Sequence, residues 1–127
     1  MKELPKISDA EWEVMKIIWN KEEVTSGEII SELQEKSEWK ASTIKSLISR
    51  LLNKEAISFN KNGKEYLYYA LVSEEQCVKE ESESFLNRVF NGSLNSMVLN
   101  FVKNQKLSQD DIKELRSILD NSTEEDK

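Results

Sequence analysis

The segment KASTIKSLISRLLN, residues 40–53, has the periodicity of an amphipathic helix. Its apolar side chains recur at positions i, i+3, i+4, i+7 and i+8, which places them on one stripe of an α-helix. The opposite face carries short hydroxyls and cations, and no acidic residue stands between Glu38 and Glu55. Hydroxyls can hydrogen-bond base edges or phosphates, and cations neutralise phosphate charge. We expect this helix to enter a DNA major groove; the competing interpretation is an amphipathic core helix with a solvated outer face.

The segments before this helix complete a helix-turn-helix pattern. Residues 8–11, Ser-Asp-Ala-Glu, form a capping box and predict a first helix that runs to about Trp19. Ser26 is the expected N-cap of a second helix, which ends near Lys36, and residues 37–39 make the turn into the third. A short helix, a tight turn and an amphipathic helix with a polar outer face are typical of a DNA-binding helix-turn-helix.

A β-hairpin is predicted directly after the third helix. Residues 56–60 and 65–71 are short strand-like runs, and Asn62-Gly63 between them is a strong hairpin signal. Lys61 and Lys64 flank the tip, where they could contact phosphates. A hairpin with a cationic tip after a helix-turn-helix predicts a winged helix, although the same strands would also serve as a plain cap on the core.

The expected DNA contacts fall into two groups. Base-edge contacts are assigned to Thr43, Lys45 and Ser46. Phosphate contacts are assigned to Ser42, Ser49, Arg50, Lys54, Lys61 and Lys64. Lys40 stands where a Ser or Asp would cap the helix, so Ser42 or a bound phosphate is expected to satisfy the first backbone N–H groups.

The charge distribution agrees with this assignment although the net charge is −6. Residues 1–72 hold 11 basic and 12 acidic residues, whereas residues 73–127 hold 7 and 12. Within residues 36–64 the balance reverses to 7 basic against 2 acidic residues. Phosphate attraction acts over roughly a Debye length, about 8–10 Å, so the local charge matters more than the sum.

Composition excludes several other classes of function. With one Cys and no His, the chain lacks the side chains that form most metal sites and the common His-dependent catalytic groups. We therefore expect no enzymatic activity, cofactor or metal. The lone Cys77 fits a reducing cytoplasm. No apolar run approaches the ~20 residues of a membrane span, and no signal peptide is recognised at the N-terminus.

The remainder of the chain predicts a helical dimerisation domain. A second capping box at residues 73–76 begins a helix to about Phe90; further helices are expected over residues 94–102 and from Ser108. So small a unit cannot bury its own apolar side chains, which favours a homodimer over packing onto the first domain. The candidate interface residues are Leu86, Val89, Phe90, Val98, Leu99, Val102, Ile112, Leu115, Ile118 and Leu119.

The predicted fold is therefore mainly α with a small β-hairpin wing. It consists of an N-terminal winged helix-turn-helix domain (residues 1–72), a three-helix C-terminal dimerisation domain (73–120) and a charged, disordered tail (121–127).

Several stretches in collinear order also carry a family resemblance. They are SDAEWEVMKIIW (8–19), TIKSLISRL (43–51), YY (68–69), NSMVLNFV (95–102), LSQD (107–110) and ELRSIL (114–119). Together they closely resemble the BlaI/MecI family of penicillinase and methicillin-resistance repressors over residues 7–120.

The resemblance implies a homodimeric winged-helix repressor that binds palindromic operators upstream of β-lactam resistance genes. It also implies that a membrane sensor detects the β-lactam and that the repressor is then cut at an Asn-Phe bond, which corresponds to Asn100-Phe101. Four positions depart from the usual family pattern: Lys40-Ala41 replaces Ser-Pro, Ser42 replaces Lys, and Lys45 replaces Arg. Because Lys lacks the guanidinium fork that binds guanine, these departures affect operator preference.

Two alternatives remain open from the sequence. One is a winged-helix repressor that a directly bound small ligand releases. The other is a protein–protein adaptor with the same fold that binds no DNA; it would bind its partner without strong dependence on salt.

Overall fold

In the described part of this computed structural model, residues 4–125, the chain forms six helices and three short strands; side chains are described as far as Ser122. The elements are α1 (Asp9–Lys21), β1 (Val24–Thr25), α2 (Ser26–Lys36), α3 (Ala41–Asn53), β2 (Ile57–Asn62), β3 (Glu65–Ala70), α4 (Glu74–Phe90), α5 (Leu94–Lys103) and α6 (Gln109–Glu125). Across these residues, no helix combines the length and the hydropathy that crossing a lipid bilayer requires.

The first three helices and the sheet form a winged helix, which confirms the predicted fold class. The strands lie in the order β1-β3-β2, and both pairs are antiparallel. Helices α1, α2 and α3 pack on one another and on β3 or β2. The core is made chiefly from α1 and α3: Met15, Ile18, Ile44 and Leu51 are fully buried. Helix α1 is thus a central core element.

Capping boxes begin α1 and α2, the two helices that precede α3. At α1 the predicted box is confirmed: Ser8 Oγ accepts the Glu11 N–H at 3.2 Å, and Glu11 Oε1 accepts the Ser8 N–H at 2.9 Å. The N-cap of α2 is Thr25, not Ser26. Thr25 Oγ1 accepts the Glu28 N–H at 3.2 Å and Glu28 Oε1 accepts the Thr25 N–H at 3.3 Å, so the box forms one residue earlier than predicted.

The hairpin is present, with its turn one residue further along the chain. Asn62 is the last residue of β2 and pairs with Glu65, so Gly63 and Lys64 are the two turn residues. Gly63 has a φ of +67°. Glycine at the first central position is the arrangement of a type II′ hairpin turn, whereas the prediction placed Asn62 and Gly63 in the two central positions.

A partly buried ion pair ties the start of α1 to the end of α3. The Glu11 side chain is 1% exposed, and Lys54 Nζ lies 2.5 Å from its Oε1. Lys54 Nζ also donates to the Lys6 carbonyl at 2.7 Å. Burial alone would raise the pKa of Glu11, but the hydrogen bonds from Lys54 and Ser8 and the Lys54 charge outweigh it, so the net effect lowers that pKa. Glu11 therefore stays ionised in the core.

The chain divides into two compact units, one ending at Lys79 and the other beginning at Glu80. The division lies within α4 because its first turns belong to the first unit: Cys77 is 4% exposed and is part of the winged-helix core. Burial raises the pKa of the Cys77 thiol, which keeps it protonated and unreactive.

The second unit consists of the rest of α4 with α5 and α6. Helix α4 ends at Phe90, where Asn91 and Gly92 take positive φ values, as the Asn-Gly pair predicts. The disorder predicted for residues 121–127 is wrong over the first five of them, because α6 continues to Glu125. The helix continues there although Asn121, Ser122 and Thr123 are weak helix formers, because no Gly or Pro interrupts it and the preceding turns are already helical. Residues 126–127 lie outside the described residues.

The Glu11–Lys54 pair gives a prediction about stability and pH. The depressed pKa of Glu11 means that the pair stabilises the fold above the ordinary pKa of a glutamate and that this contribution is lost as the pH falls through the lower, folded value. Glu11→Gln is expected to lower the free energy of unfolding by about 1–3 kcal/mol at neutral pH. The difference from wild type should shrink in acid. Urea unfolding followed by tryptophan fluorescence measures both effects.

The matched control is Glu13→Gln, on the same helix. Glu13 pairs with Lys16 at 3.2 Å, but both side chains are well exposed. Exposed pairs contribute little, so this variant should unfold within about 0.5 kcal/mol of wild type. Equal changes in the free energy of unfolding for the two variants would show that the Glu11–Lys54 pair stabilises the fold no more than an exposed pair does.

Candidate nucleic-acid interface

Helix α3 has one apolar and one polar face, and the apolar face packs against the core. Ile44, Leu47, Ile48 and Leu51 are between 0% and 3% exposed. At about 100° per residue, their burial turns the remaining positions outward. The exposed side chains of the helix include Ser42, Thr43, Lys45, Ser46, Ser49 and Arg50. All six contacts predicted on this helix therefore lie on its solvent-facing surface.

The N-terminus of α3 lacks a side-chain cap. Lys40 is the N-cap residue and makes no side-chain capping hydrogen bond, as its side chain predicts. The N-caps of α1, α2, α4, α5 and α6 each accept a backbone N–H with a hydroxyl, from Ser8, Thr25, Ser73, Ser93 and Ser108 respectively. The first backbone N–H groups of α3 therefore have no capping side chain from Lys40. Together with the positive end of the helix dipole, they can bind an anion.

The cations of residues 36–64 separate into paired and unpaired groups. Lys36 lies 3.5 Å from Glu32 on α2, and Lys54 is held by Glu11. Among residues 4–125, no ion pair is found at Lys40, Lys45, Arg50, Lys61 or Lys64. These five side chains are exposed. They remain available to a polyanion without first leaving an acidic partner.

The pairing of Lys54 bears on one predicted contact. In the sequence this residue directly follows the segment that forms α3, which suggests a phosphate contact. In the structure, two of its three N–H donors are used by Glu11 and by the Lys6 carbonyl. Binding a phosphate instead would leave a buried carboxylate unpaired, which is costly. Lys54 therefore holds α3 in place, and its predicted contact with phosphate stays a prediction. The sequence gives no signal for the contact with Glu11, because the partner lies 43 residues away.

The hairpin carries its cations at the tip. Lys61 lies near the end of β2 and Lys64 lies in the turn, and both are exposed. Asn60 and Asn62 add further exposed polar side chains to the same strand. The wing thus offers two unpaired positive charges in addition to those of α3.

The predicted cleavage bond lies in the last turn of α5, within the second unit. Asn100 is exposed and Phe101 is half-buried. The Asn100 carbonyl accepts two hydrogen bonds from Asn104, one from its backbone N–H at 3.1 Å and one from its side-chain Nδ2 at 2.8 Å. The Phe101 carbonyl accepts the Lys106 N–H at 2.9 Å. The carbonyl of this peptide bond and the next carbonyl along the chain are therefore both hydrogen-bonded by the residues that follow the bond.

The predicted dimerisation residues remain largely accessible in the second unit. None of the described side chains from Glu80 to Ser122 is buried. Val89, Leu99, Val102, Ile118 and Leu119 are between 44% and 56% exposed, whereas the other five candidates are half-buried. So much exposed apolar surface on one small unit is typical of an interaction surface.

Comparisons with known proteins agree with this architecture. A family model described as penicillinase repressor matches residues 7–121. A penicillinase repressor of Bacillus licheniformis is 45% identical over 120 residues, which cover 94% of each chain. The methicillin resistance regulatory protein MecI of Staphylococcus aureus (strain N315) is 48% identical over 113 residues, covering 89% of this chain and 92% of its own.

The winged helix is also similar to solved structures. The monomeric form of Bacillus licheniformis BlaI, solved in solution in complex with the blaP half-operator, is 40% identical with a TM-score of 0.53. The match covers 59% of this chain and 92% of that one. The DNA-binding domain of the repressor BlaI, also solved in solution, gives the same identity and TM-score over 58% of this chain and 90% of its own.

Proposed function

Because this chain belongs to the penicillinase repressor family, we propose that it is a homodimeric transcriptional repressor of β-lactam-resistance genes. It acts in the cytoplasm, where it binds a palindromic operator and blocks transcription by occupying the DNA. A membrane sensor-protease system ends repression by cutting the chain in its second unit. The relative solved with a half-operator supports the DNA partner.

The observation that carries this proposal is the outer face of α3. A helix with a fully buried apolar stripe has a fixed rotation, so its polar face is held ready before DNA arrives. That face is rich in hydroxyls, and in the part of the chain that the structure describes no ion pair occupies its cations. Preorganised donors bind at a lower entropic cost than mobile ones.

The individual contacts are proposed from side-chain chemistry and position. Thr43, Lys45 and Ser46 reach base edges in the major groove, because they lie in the first half of the helix, where helix-turn-helix proteins read sequence. Phosphate contacts are made by Ser42, Ser49, Arg50, Lys61 and Lys64, together with the uncapped N-terminus of α3.

Reversing charge on this face tests DNA binding. Ser46→Glu combined with Arg50→Glu is expected to weaken binding to a selected operator by about 10²-fold or more, because it removes two contacts and adds repulsion of phosphates. Fluorescence anisotropy with duplexes selected from a random pool measures the affinity. The matched control, Ser82→Glu with Lys79→Glu on α4, makes the same change in charge and should bind within about threefold of wild type.

Unaltered binding by a well-folded Ser46/Arg50 variant would contradict the placement of α3. If the wild-type chain itself bound no duplex, the adaptor interpretation would replace the repressor.

The second unit is the proposed dimer interface. Residues from α4, α5 and α6 contribute to it: Leu86, Val89, Phe90, Val98, Leu99, Val102, Ile112, Leu115, Ile118 and Leu119. A second copy would cover apolar side chains that one copy leaves partly exposed, and their burial would stabilise the dimer by about 25 cal/mol per Å². A two-fold dimer also matches a palindrome, because each winged helix meets one half-site.

Truncation tests both the interface and the consequence of cleavage. A chain ended at Asn100 loses α6 and the end of α5, and should sediment as a monomer. Its affinity for a full operator should fall by about 10²–10⁴-fold, because the two half-sites are then bound without a link between them. A chain ended at Asp120 retains all ten interface residues and is the matched control, expected to remain dimeric. A dimeric product of the first truncation would exclude this interface.

Proteolysis at Asn100-Phe101 is the proposed route of induction. Cells that carry the sensor system and are exposed to a β-lactam should accumulate a fragment that mass spectrometry identifies as residues 1–100. The contrasting result is release of operator DNA from the intact purified chain when β-lactam alone is added. That outcome would favour a repressor controlled by a directly bound ligand.

A further inference from the structure

The wing carries an aromatic surface that the proposed phosphate contacts do not explain. Phe59 and Tyr66 are 40% and 44% exposed, so two neighbouring aromatic rings of the sheet are accessible to solvent. Their ring centroids lie 4.4 Å apart with an angle of 38° between the planes. Phe59 also lies 5.9 Å from the ring of buried Tyr68. The three rings form a continuous row from the core toward the hairpin tip.

The strand register assigns this row to one face of the hairpin. Directly opposed residues of an antiparallel pair share a face, and alternate residues along a strand do too. Phe59 pairs with Tyr68 and Lys61 pairs with Tyr66. The aromatic face therefore consists of Phe59, Tyr66 and Tyr68, with Lys61 as its outermost cation.

Charge distinguishes this face from the opposite one. Glu65 pairs with Asn62 and is adjacent to Tyr66 along β3, so its side chain lies on the other face. The described strand residues give the aromatic face one charged side chain, the unpaired Lys61. An apolar surface edged by a cation suits the backbone of a nucleic acid, where deoxyribose offers C–H groups and phosphate offers negative charge.

The aromatic face also lies on the helix side of the sheet. Ile57, two residues before Phe59 on β2, is 2% exposed and belongs to the same buried cluster as α3 residues. Ile57 and Phe59 point to the same side because alternate strand residues share a face. The exposed rings are thus an outward extension of the face that packs on the helices, and a duplex lying on α3 could extend across it.

We propose that Phe59 and Tyr66 pack against the deoxyribose units of the backbone strand that the wing crosses, while Lys61 holds the adjacent phosphate. This inference rests on the proposed DNA binding and adds to it an apolar contact. Sugar packing is independent of sequence, and it releases no counterions. It therefore contributes equally on all duplexes and at all salt concentrations, unlike the cationic contacts.

Substitution separates the apolar contact from the ionic one. Phe59→Thr with Tyr66→Thr keeps residues that favour strands, and should weaken operator binding by about five- to tenfold per half-site. The slope of log affinity against log salt concentration should be unchanged. Lys61→Thr should instead lower that slope by about one per protomer. Leu71→Thr, which removes a side chain that is 52% exposed elsewhere in the same unit, should leave both quantities unchanged.

A footprint on the wild-type protein tests the contact without relying on any variant. Hydroxyl radicals attack deoxyribose, so packed sugars should appear as a protected patch beside the protection given by α3. In the double threonine variant this patch should be lost, with a far-ultraviolet circular dichroism spectrum like that of wild type.

Two results would overturn the proposal: wild-type protein that protects no sugars beyond the α3 footprint, or a folded double variant with wild-type affinity. A change in salt slope for the double variant would also overturn it, because the rings would then act through charge. If the wild-type chain bound no duplex at all, the proposed function would fail first, which distinguishes the two failures.

Discussion

Burial of the apolar stripe of α3 against the core is the constraint on which the rest of the structure depends. Ile44 and Leu51 are fully buried and lie two helical turns apart, so the helix can neither rotate nor tilt without opening the core. The polar face is consequently oriented by the same packing that stabilises the fold. The Glu11–Lys54 ion pair and the Lys6 carbonyl hold the C-terminal end of the helix, while its N-terminal end is left without a cap.

The division between structural and available cations explains how an acidic chain can bind a polyanion. Lys54 and Lys36 are engaged by acids, and their charge is largely compensated locally. The exposed cations of α3 and the wing have no such partners within the described residues. Since salt screens charges beyond about 10 Å, the balance of 7 basic against 2 acidic residues within 36–64 matters more to a nearby phosphate than the sum over the chain. The net charge of −6 is therefore a poor guide to the partner.

Most of the fold could be predicted from the sequence because it follows from local periodicity. The stripe of α3, the capping box at Ser8 and the Asn-Gly signal each depend on residues within one or two turns of each other. The N-cap of α2 and the hairpin turn were each misplaced by one residue, because contacts with residues distant in sequence determine their positions. Thr25 rather than Ser26 caps α2 because Thr25 is held extended by pairing with Leu67, and the hairpin register is fixed by cross-strand packing such as Phe59 opposite Tyr68. The aromatic face of the wing and the role of Lys54 could not be predicted, because both need the tertiary arrangement.

The same argument of incomplete burial gives the second unit its proposed role in control. A helix whose apolar side chains are half-exposed depends for its stability on a partner surface that covers them. Cutting the chain in α5 would therefore also remove the apolar contacts that α6 and the end of α5 are proposed to make in the dimer. The bond between Asn100 and Phe101 lies where α5 is closed by its final hydrogen bonds, including both donors of Asn104 to the Asn100 carbonyl. Helix ends open at lower free energy than helix centres, and an opened turn is the conformation that a protease can bind. The proposed cleavage bond is therefore hydrogen-bonded in the folded unit yet close to the point where the helix opens most readily.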